Sequence, residues 1–265
     1  MDPLLCLSRE IQNAFAVRNQ TIAVFFDLEK AYDTTWRAGI LKQIVDWNIG
    51  GNLFNFAKDF LSDRYLKVRI GSTLSSEYLQ EEGIPQGSVL SPTFFCIAIN
   101  GLLEQLPVGV TGQAFADDIA FICSRSTAVE ACARIQIAIN AATTWANSKG
   151  FKFSAEKTKA IRFCRTRRRE EIPTLFLEDS ILIYEDKVKY LGVVFDKKLT
   201  FAEHINETAV NVKQRCNILK VVSNLNFGAD RTTLLRIYQA LCLSKIDYGS
   251  QVMAQHVKHF WGNWM

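Results

Sequence analysis

The chain has 265 residues, of which 48% are apolar, 11% aromatic and 22% charged, with a formal net charge of +4. Such apolar content supports one large core or two smaller ones and excludes a disordered or low-complexity chain. The mild basicity tolerates a nucleic-acid partner without requiring one, and no apolar run reaches the length of a membrane span.

Taken in order, residues 5–18 carry Leu5, Ile11, Ala14, Phe15 and Val17 at loose helical spacing, which predicts an amphipathic helix. Thr21 to Phe26 is a continuous β-branched and aromatic run, the pattern of a strand buried on both faces, and it stops at Asp27. Asp27 then reads either as a carboxylate placed at a strand end or as the N-cap of a following helix. Helices are predicted over 38–47 and 52–61, parted by Gly50 and Gly51. Residues 64–80 alternate basic and apolar side chains around Gly71 and Ser72. They predict a half-exposed hairpin whose open face carries Arg64, Lys67 and Arg69, either as a solvated edge or as a phosphate-facing surface.

A breaker-rich loop, Gly83-Ile84-Pro85-Gln86-Gly87-Ser88, precedes a helix predicted over 93–106 with Ser91 as cap and Pro92 in its first turn. The glycines beside Gln86 let backbone approach a ligand closely, although an ordinary loop would look the same. An alanine-rich helix over 128–148 places Val129, Cys132, Ile135, Ile139, Ala142 and Trp145 on its packed side, and Gly150 ends it. A short strand over 151–153, a strand over 160–164, a basic run at Arg165, Arg167, Arg168 and Arg169, and a small hairpin over 175–183 come next. Residues 188–195 read as one strand interrupted by Gly192, where another backbone or a ligand approaches. Two helices follow, over 204–225 and 230–248, with a break at Asn226, Phe227 and Gly228.

Between these elements lies Ala114-Phe115-Ala116-Asp117-Asp118-Ile119-Ala120-Phe121-Ile122-Cys123, two apolar half-strands meeting at adjacent carboxylates. Like charges side by side raise each other's pKa, and desolvation penalises both. A divalent cation relieves that cost, and hard oxygen ligands suit Mg²⁺. Asp-Asp is also a common polar turn, so its context has to decide.

Seven scattered cysteines with no Cys-x-x-Cys pair argue against a disulfide framework or a zinc ribbon. They predict reduced thiols in a soluble, intracellular protein, cytoplasmic or nuclear, and no signal-peptide pattern opens the chain. His204, His256 and His259 form no metal-binding helix signature.

Three motifs carry a resemblance: Phe26-Asp27-Leu28-Glu29-Lys30-Ala31-Tyr32-Asp33, the Gly83 to Pro92 stretch, and Phe115-Ala116-Asp117-Asp118. In that order they resemble the palm motifs of reverse transcriptases of non-LTR (LINE-type) retrotransposons. The resemblance runs from about residue 4 to 251, and Tyr190-Leu191-Gly192 and residues 150–159 look like two further family motifs. It implies an α+β polymerase palm, an antiparallel sheet backed by helices, with partial fingers over 1–198 and a helical thumb and divergent tail over 199–265.

The function implied is RNA-directed DNA polymerisation from an RNA template, a DNA primer and dNTPs, by two-metal nucleotidyl transfer with two Mg²⁺ ions, or Mn²⁺ in their place. The resemblance makes Asp27, Asp117, Asp118 and the Leu28 carbonyl the metal ligands, with Asp118 assisting. Tyr32 becomes the gate against a 2′-hydroxyl, while Gln86 and Gly87 lie at the incoming nucleotide. Lys157 aids pyrophosphate departure, and Leu191 with Gly192 grips the primer. Ordinary structural roles stay open for Tyr32, as a helix-face aromatic, and for Lys157, as a surface residue. The upstream fingers strands of the family, its endonuclease and its RNase H are not in this sequence, and the tail over 251–265 departs from its pattern. A truncated fragment is therefore expected, with a polymerase-inactive remnant that only binds nucleic acid as the alternative and a metal-dependent nuclease behind it. Neither oligomeric state nor the RNA copied is legible.

Overall fold

The computed structural model describes residues 2–165, 171–223 and 228–253. Arg167, Arg168 and Arg169, the break at Asn226 and Phe227, and His256 and His259 lie outside them. Helix α1 (Pro3–Ala16) starts on Asp2, whose carboxylate accepts from the Leu4 N–H at 2.9 Å. Strand β1 (Gln20–Phe26) is buried at every position. Helices α2 (Arg37–Asp46) and α3 (Gly51–Leu61) lead into four two-residue strands, β2 (Tyr65–Leu66), β3 (Arg69–Ile70), β4 (Thr73–Leu74) and β5 (Tyr78–Leu79). Helix α4 (Ser91–Ile99), strands β6 (Thr111–Phe115) and β7 (Asp118–Arg125), and helix α5 (Ala128–Ser148) follow. Then come β8 (Lys159–Phe163), β9 (Leu175–Leu177), β10 (Ser180–Leu182), β11 (Tyr184–Glu185), β12 (Lys187–Tyr190) and β13 (Val193–Asp196). The chain continues through α6 (Ala202–Val222), α7 (Arg231–Tyr238), a wide π-type turn over Gln239–Leu243, and α8 (Ser244–Asp247).

The central sheet has the order β11-β8-β1-β7-β6, antiparallel except for β11 beside β8. Strand β1 is its middle strand, and both faces are covered, which is why its sequence is apolar without alternation from Ile22 to Phe26. Ile22, Val24 and Phe26, with Ile119, Phe121 and Cys123, face α5 and the α2–α4 layer. Ala23 and Phe25, with Ala120 and Ile122, face α1 and the β12–β13 hairpin. Small side chains let α5 lie close to the sheet, since Ala131, Ala138 and Ala142 are fully buried beside Ile135 and Ile139. Val129, expected on that side, points to solvent.

Four other expectations need correction. The stretch over 188–195 is two strands, not one, with β12 and β13 paired about a turn at Leu191 and Gly192. What approaches Gly192 is the Tyr248 ring, 3.3 Å from where a Cβ would stand, and the Tyr248 hydroxyl donates to the Leu191 carbonyl at 2.6 Å. The β2–β5 hairpin has no buried face, because Tyr65, Leu66, Val68, Ile70, Leu74, Tyr78 and Leu79 are all exposed. Its basic residues are engaged locally: Lys67 pairs with Glu77 at 2.9 Å, Arg69 donates to the Gly71 carbonyl, and Arg64 lies over the Phe60 ring. Helix α4 stops at Ile99, ahead of Gly101 in a left-handed conformation, and Ser91 donates to the Pro85 carbonyl instead of capping the helix. The helix expected over 230–248 is broken by the π-type turn.

The passage near residue 198 is a turn held by Asp196, whose carboxylate accepts from the Thr200 and Phe201 N–H groups at 2.7 Å each. Beyond it, α6 buries only His204. Phe121→Ala is expected to cost about 3–5 kcal/mol by urea denaturation. Ile70→Ala, at a position 77% exposed, is expected to stay within about 0.5 kcal/mol of wild type in the same measurement.

Candidate active site

Strands β1 and β7 pair from Gln20 opposite Arg125 to Phe26 opposite Ile119. One step further, Asp27 and Asp118 stand across from each other. Alternation along each strand turns both towards the face that carries Phe25 and Ala120. Asp117 sits with Ala116 in the two-residue turn that joins Phe115 to Asp118. Ala116 adopts φ 53°, a left-handed conformation that folds the turn tightly at some cost to a residue with a Cβ.

Burial raises the Asp118 pKa, and the charges of Asp117 and then Asp27 raise it further, so the three carboxylates lie within each other's fields. Asp27 is half-buried, and its Oδ2 has no hydrogen-bond partner among the described residues. The Lys157 ammonium faces that oxygen at 3.4 Å, as an ion pair too poorly aligned to be a hydrogen bond. The segment bearing Lys157 also clasps the Asp27 backbone, because the Ser154 N–H donates to the Asp27 carbonyl and the Asp27 N–H reaches Thr158 Oγ1. Leu28 and Phe153 form a wide antiparallel pair flanked by bonds from Glu29 to Lys152 and from Ser154 to Asp27. The Leu28 carbonyl is thus outside the ladder. Asp27 caps no helix: residues 29–34 are turns, and the N-cap of α2 is Trp36.

Tyr32 stacks on Phe95 with ring centroids 4.9 Å apart. Burial and then the charge of Asp117 raise its pKa, placing the phenol in the field of the acid turn. The loop after Gly83 is bound to the same stretch, for the Ile84 N–H donates to the Tyr32 carbonyl and Gln86 Nε2 donates to Asp33 at 3.4 Å. Leu191 and Gly192 form the β12–β13 turn, and Tyr190 beside them packs on Phe25 at 5.1 Å. A cavity of about 410 Å³ runs from Asp27 and Asp118 past Tyr190 to the start of α6, lined also by Lys157, Lys159, Lys187 and Lys189.

Residues 2–195 match the family model described as reverse transcriptase (RNA-dependent DNA polymerase). The chain belongs to the reverse transcriptase family. Its curated relatives include the probable RNA-directed DNA polymerase from transposon X-element of Drosophila melanogaster, 26% identical over 92% of this chain and 27% of the relative. The RNA-directed DNA polymerase from mobile element jockey of Drosophila funebris is 28% identical over 86% of this chain and 25% of the relative. The chain therefore spans about a quarter of the length of these relatives. Among solved structures, apo telomerase from Candida tropicalis superposes with a TM-score of 0.54 at 11% identity, over 96% of this chain and 46% of that one. That likeness is one of fold.

Reverse transcriptases use divalent metal ions, and the donors of this member fit one: hard carboxylate oxygens, an orphaned Asp27 Oδ2 and a Leu28 carbonyl outside the ladder. Among the described residues, no three acidic, His or Cys side chains are gathered into a closed cage.

Sequence reasoning passed over Arg37, which donates to the carbonyls of Gly83, Leu61 and Glu82 at 2.6, 3.1 and 2.9 Å. A cation in the first turn of a helix opposes the macrodipole, and that misplacement was the available signal. Gly83 serves close packing within the chain, since a Cβ there would lie 2.4 Å from the Asp33 carbonyl oxygen. Gly87, also at positive φ, has open space above it.

Gly83→Ala is expected to unseat the loop and cost more than about 2 kcal/mol, whereas Gly87→Ala adds only about 1–2 kcal/mol of backbone strain; chemical denaturation separates the two. The raised Asp118 pKa means that the folded chain holds this proton more tightly than the unfolded chain. Stability without metal then falls as pH rises from the ordinary Asp range through the raised value. Asp118→Asn is expected to raise the metal-free melting temperature at neutral pH, with the gain vanishing below about pH 4, the ordinary carboxylate range.

Proposed function

We propose that this chain carries the polymerising centre of an RNA-directed DNA polymerase, extending a DNA 3′ end on an RNA template inside the cell. The observation that carries the reading is the strand register, which leaves Asp27 and Asp118 one step past the pairing of Phe26 with Ile119 on adjacent antiparallel strands, with Asp117 in the turn before Asp118. The names of the relatives, RNA-directed DNA polymerases of mobile elements, support the reaction type. A telomerase of the same fold in complex with a fragment of telomeric RNA supports an RNA partner.

In this reading Asp27, Asp117 and Asp118, with the Leu28 carbonyl, hold two Mg²⁺ or Mn²⁺ ions. Bound there, such ions acidify an attacking hydroxyl and neutralise charge on a leaving phosphate. Lys157, released from Asp27, offers its proton to the departing pyrophosphate. Tyr32, braced by Phe95 and by the Ile84 N–H on its carbonyl, presents a flat phenol to the sugar of the incoming dNTP and rejects a 2′-hydroxyl. Gln86 and Gly87 bear on that nucleotide from the adjoining loop, where Gly87 leaves the backbone accessible. The turn at Leu191 and Gly192 supports the primer end, and α6 to α8 act as a thumb against the duplex backbone.

Primer extension on an RNA template with Mg²⁺ tests this. Wild type is expected to incorporate dNTPs, and Asp117→Asn is expected to reduce incorporation by about 100-fold or more, because several kcal/mol of charge stabilisation depend on the ligand. Equal extension by both proteins would remove Asp117 from the site, and duplex binding without incorporation would leave the chain a nucleic-acid-binding remnant.

A further inference from the structure

Tyr190 is 98% buried, counting from a relative exposure of 2%, yet its hydroxyl has no hydrogen-bond partner among the described residues. A buried phenol normally finds one. Its ring is fixed on Phe25 at 5.1 Å, and Phe25 is on the same sheet face as Asp27 and Asp118. Tyr190, Asp27 and Asp118 line one cavity. Burial raises the phenol's pKa most, and two carboxylates, Asp118 more strongly than Asp2, push it further up. Asp2 is already engaged, accepting from the Leu4 N–H at the start of α1. Among the described residues, the Asp118 carboxylate has no such hydrogen bond.

We infer that Tyr190 is a positioning residue for Asp118: its hydroxyl donates to the Asp118 carboxylate when that carboxylate turns to hold a divalent cation. The inference rests on the reading of the acids as cation ligands. A carboxylate that binds a metal with one oxygen is oriented by a donor on the other, and losing such a donor weakens the site without removing a ligand. Tyr190 suits this task because Phe25 holds the ring while the pairing of β12 with β13 holds its backbone beside the cavity. The hydroxyl hydrogen then has one place to go that improves both groups. The phenol loses its unpaired burial, and Asp118 gains a fixed rotamer.

The test is Mn²⁺ binding to the full chain without nucleic acid, followed by calorimetry and by electron paramagnetic resonance, in wild type, Tyr190→Phe and Asp2→Asn. Tyr190→Phe keeps the ring and its contact with Phe25, so its melting temperature without metal checks that the fold is intact. Its Mn²⁺ affinity is expected to fall by about 10- to 100-fold, and Asp2→Asn is expected to bind like wild type. In primer extension, Tyr190→Phe is expected to need more Mg²⁺ while recovering its turnover number at saturating metal. Wild type and Tyr190→Phe binding Mn²⁺ equally would overturn the inference alone, and so would an Asp2→Asn loss matching that of Tyr190→Phe. Wild type binding no Mn²⁺ would overturn the cation reading and this inference together.

Discussion

The register between β1 and β7 is the constraint on which the site depends. Seven paired positions lock the two strands, five of them apolar on both sides from Ile22 opposite Cys123 to Phe26 opposite Ile119, and the lock is firm because both faces of β1 are packed. Sliding one strand by a single residue would exchange its faces. Asp27 would then point among Phe26, Phe121 and Phe153, which meet at centroid distances of 4.7 and 4.9 Å. A carboxylate in that aromatic cluster would be desolvated with no partner, a far larger penalty than any hydrogen bond gained. The core therefore aims the acids: the geometry that buries Phe25 and Phe26 on opposite faces is the geometry that sets Asp27 against Asp118.

Electrostatics at this end of the sheet is deliberately unbalanced. Three carboxylates share a small region, and the nearest cation to Asp27 is an exposed lysine on a turn, not a buried arginine. A lysine on a flexible stem is readily displaced, whereas a bidentate guanidinium would neutralise the acids for good. Arg37 shows how the chain uses a guanidinium when it wants permanence. There, three backbone carbonyls from two separate segments converge on one side chain, and the loop that carries Gln86 is fixed relative to Tyr32.

Elements whose residues contact only regular neighbours were legible in the sequence. The unbroken run ending at Phe26 announced a doubly covered strand, and the alanine periodicity of α5 gave its limits. The three acids stood out because carboxylates at the ends of apolar strands are costly if buried, and their order along the chain matched a family, although Asp117 and Asp118 prove exposed and only Asp27 is partly buried. Elements shaped by contacts distant in sequence were not legible. Gly192 read as a flaw in one strand, since nothing local shows that Tyr248 closes over a turn there. The 64–80 hairpin alternates as if half-buried, but alternation reports a buried face only when something covers it, and none of its apolar side chains is covered in this chain. Helix α4 ends at Ile99, where Asn100 and a left-handed Gly101 follow, although apolar residues resume at Leu102 and Leu103. Arg37 and the Tyr190 hydroxyl were invisible for a simpler reason: an arginine or tyrosine shows its importance only through what surrounds it.

The clasp between Tyr248 and the Leu191 carbonyl has a mechanical consequence. The helical end is seated on that hairpin at both of its ends, by His204 and Ile205 in the first turn of α6 and by the Tyr248 hydroxyl with Val252 and Met253 further on. The hairpin that carries both attachments also carries Tyr190, so the helical end and the cavity wall beside Asp118 share one support.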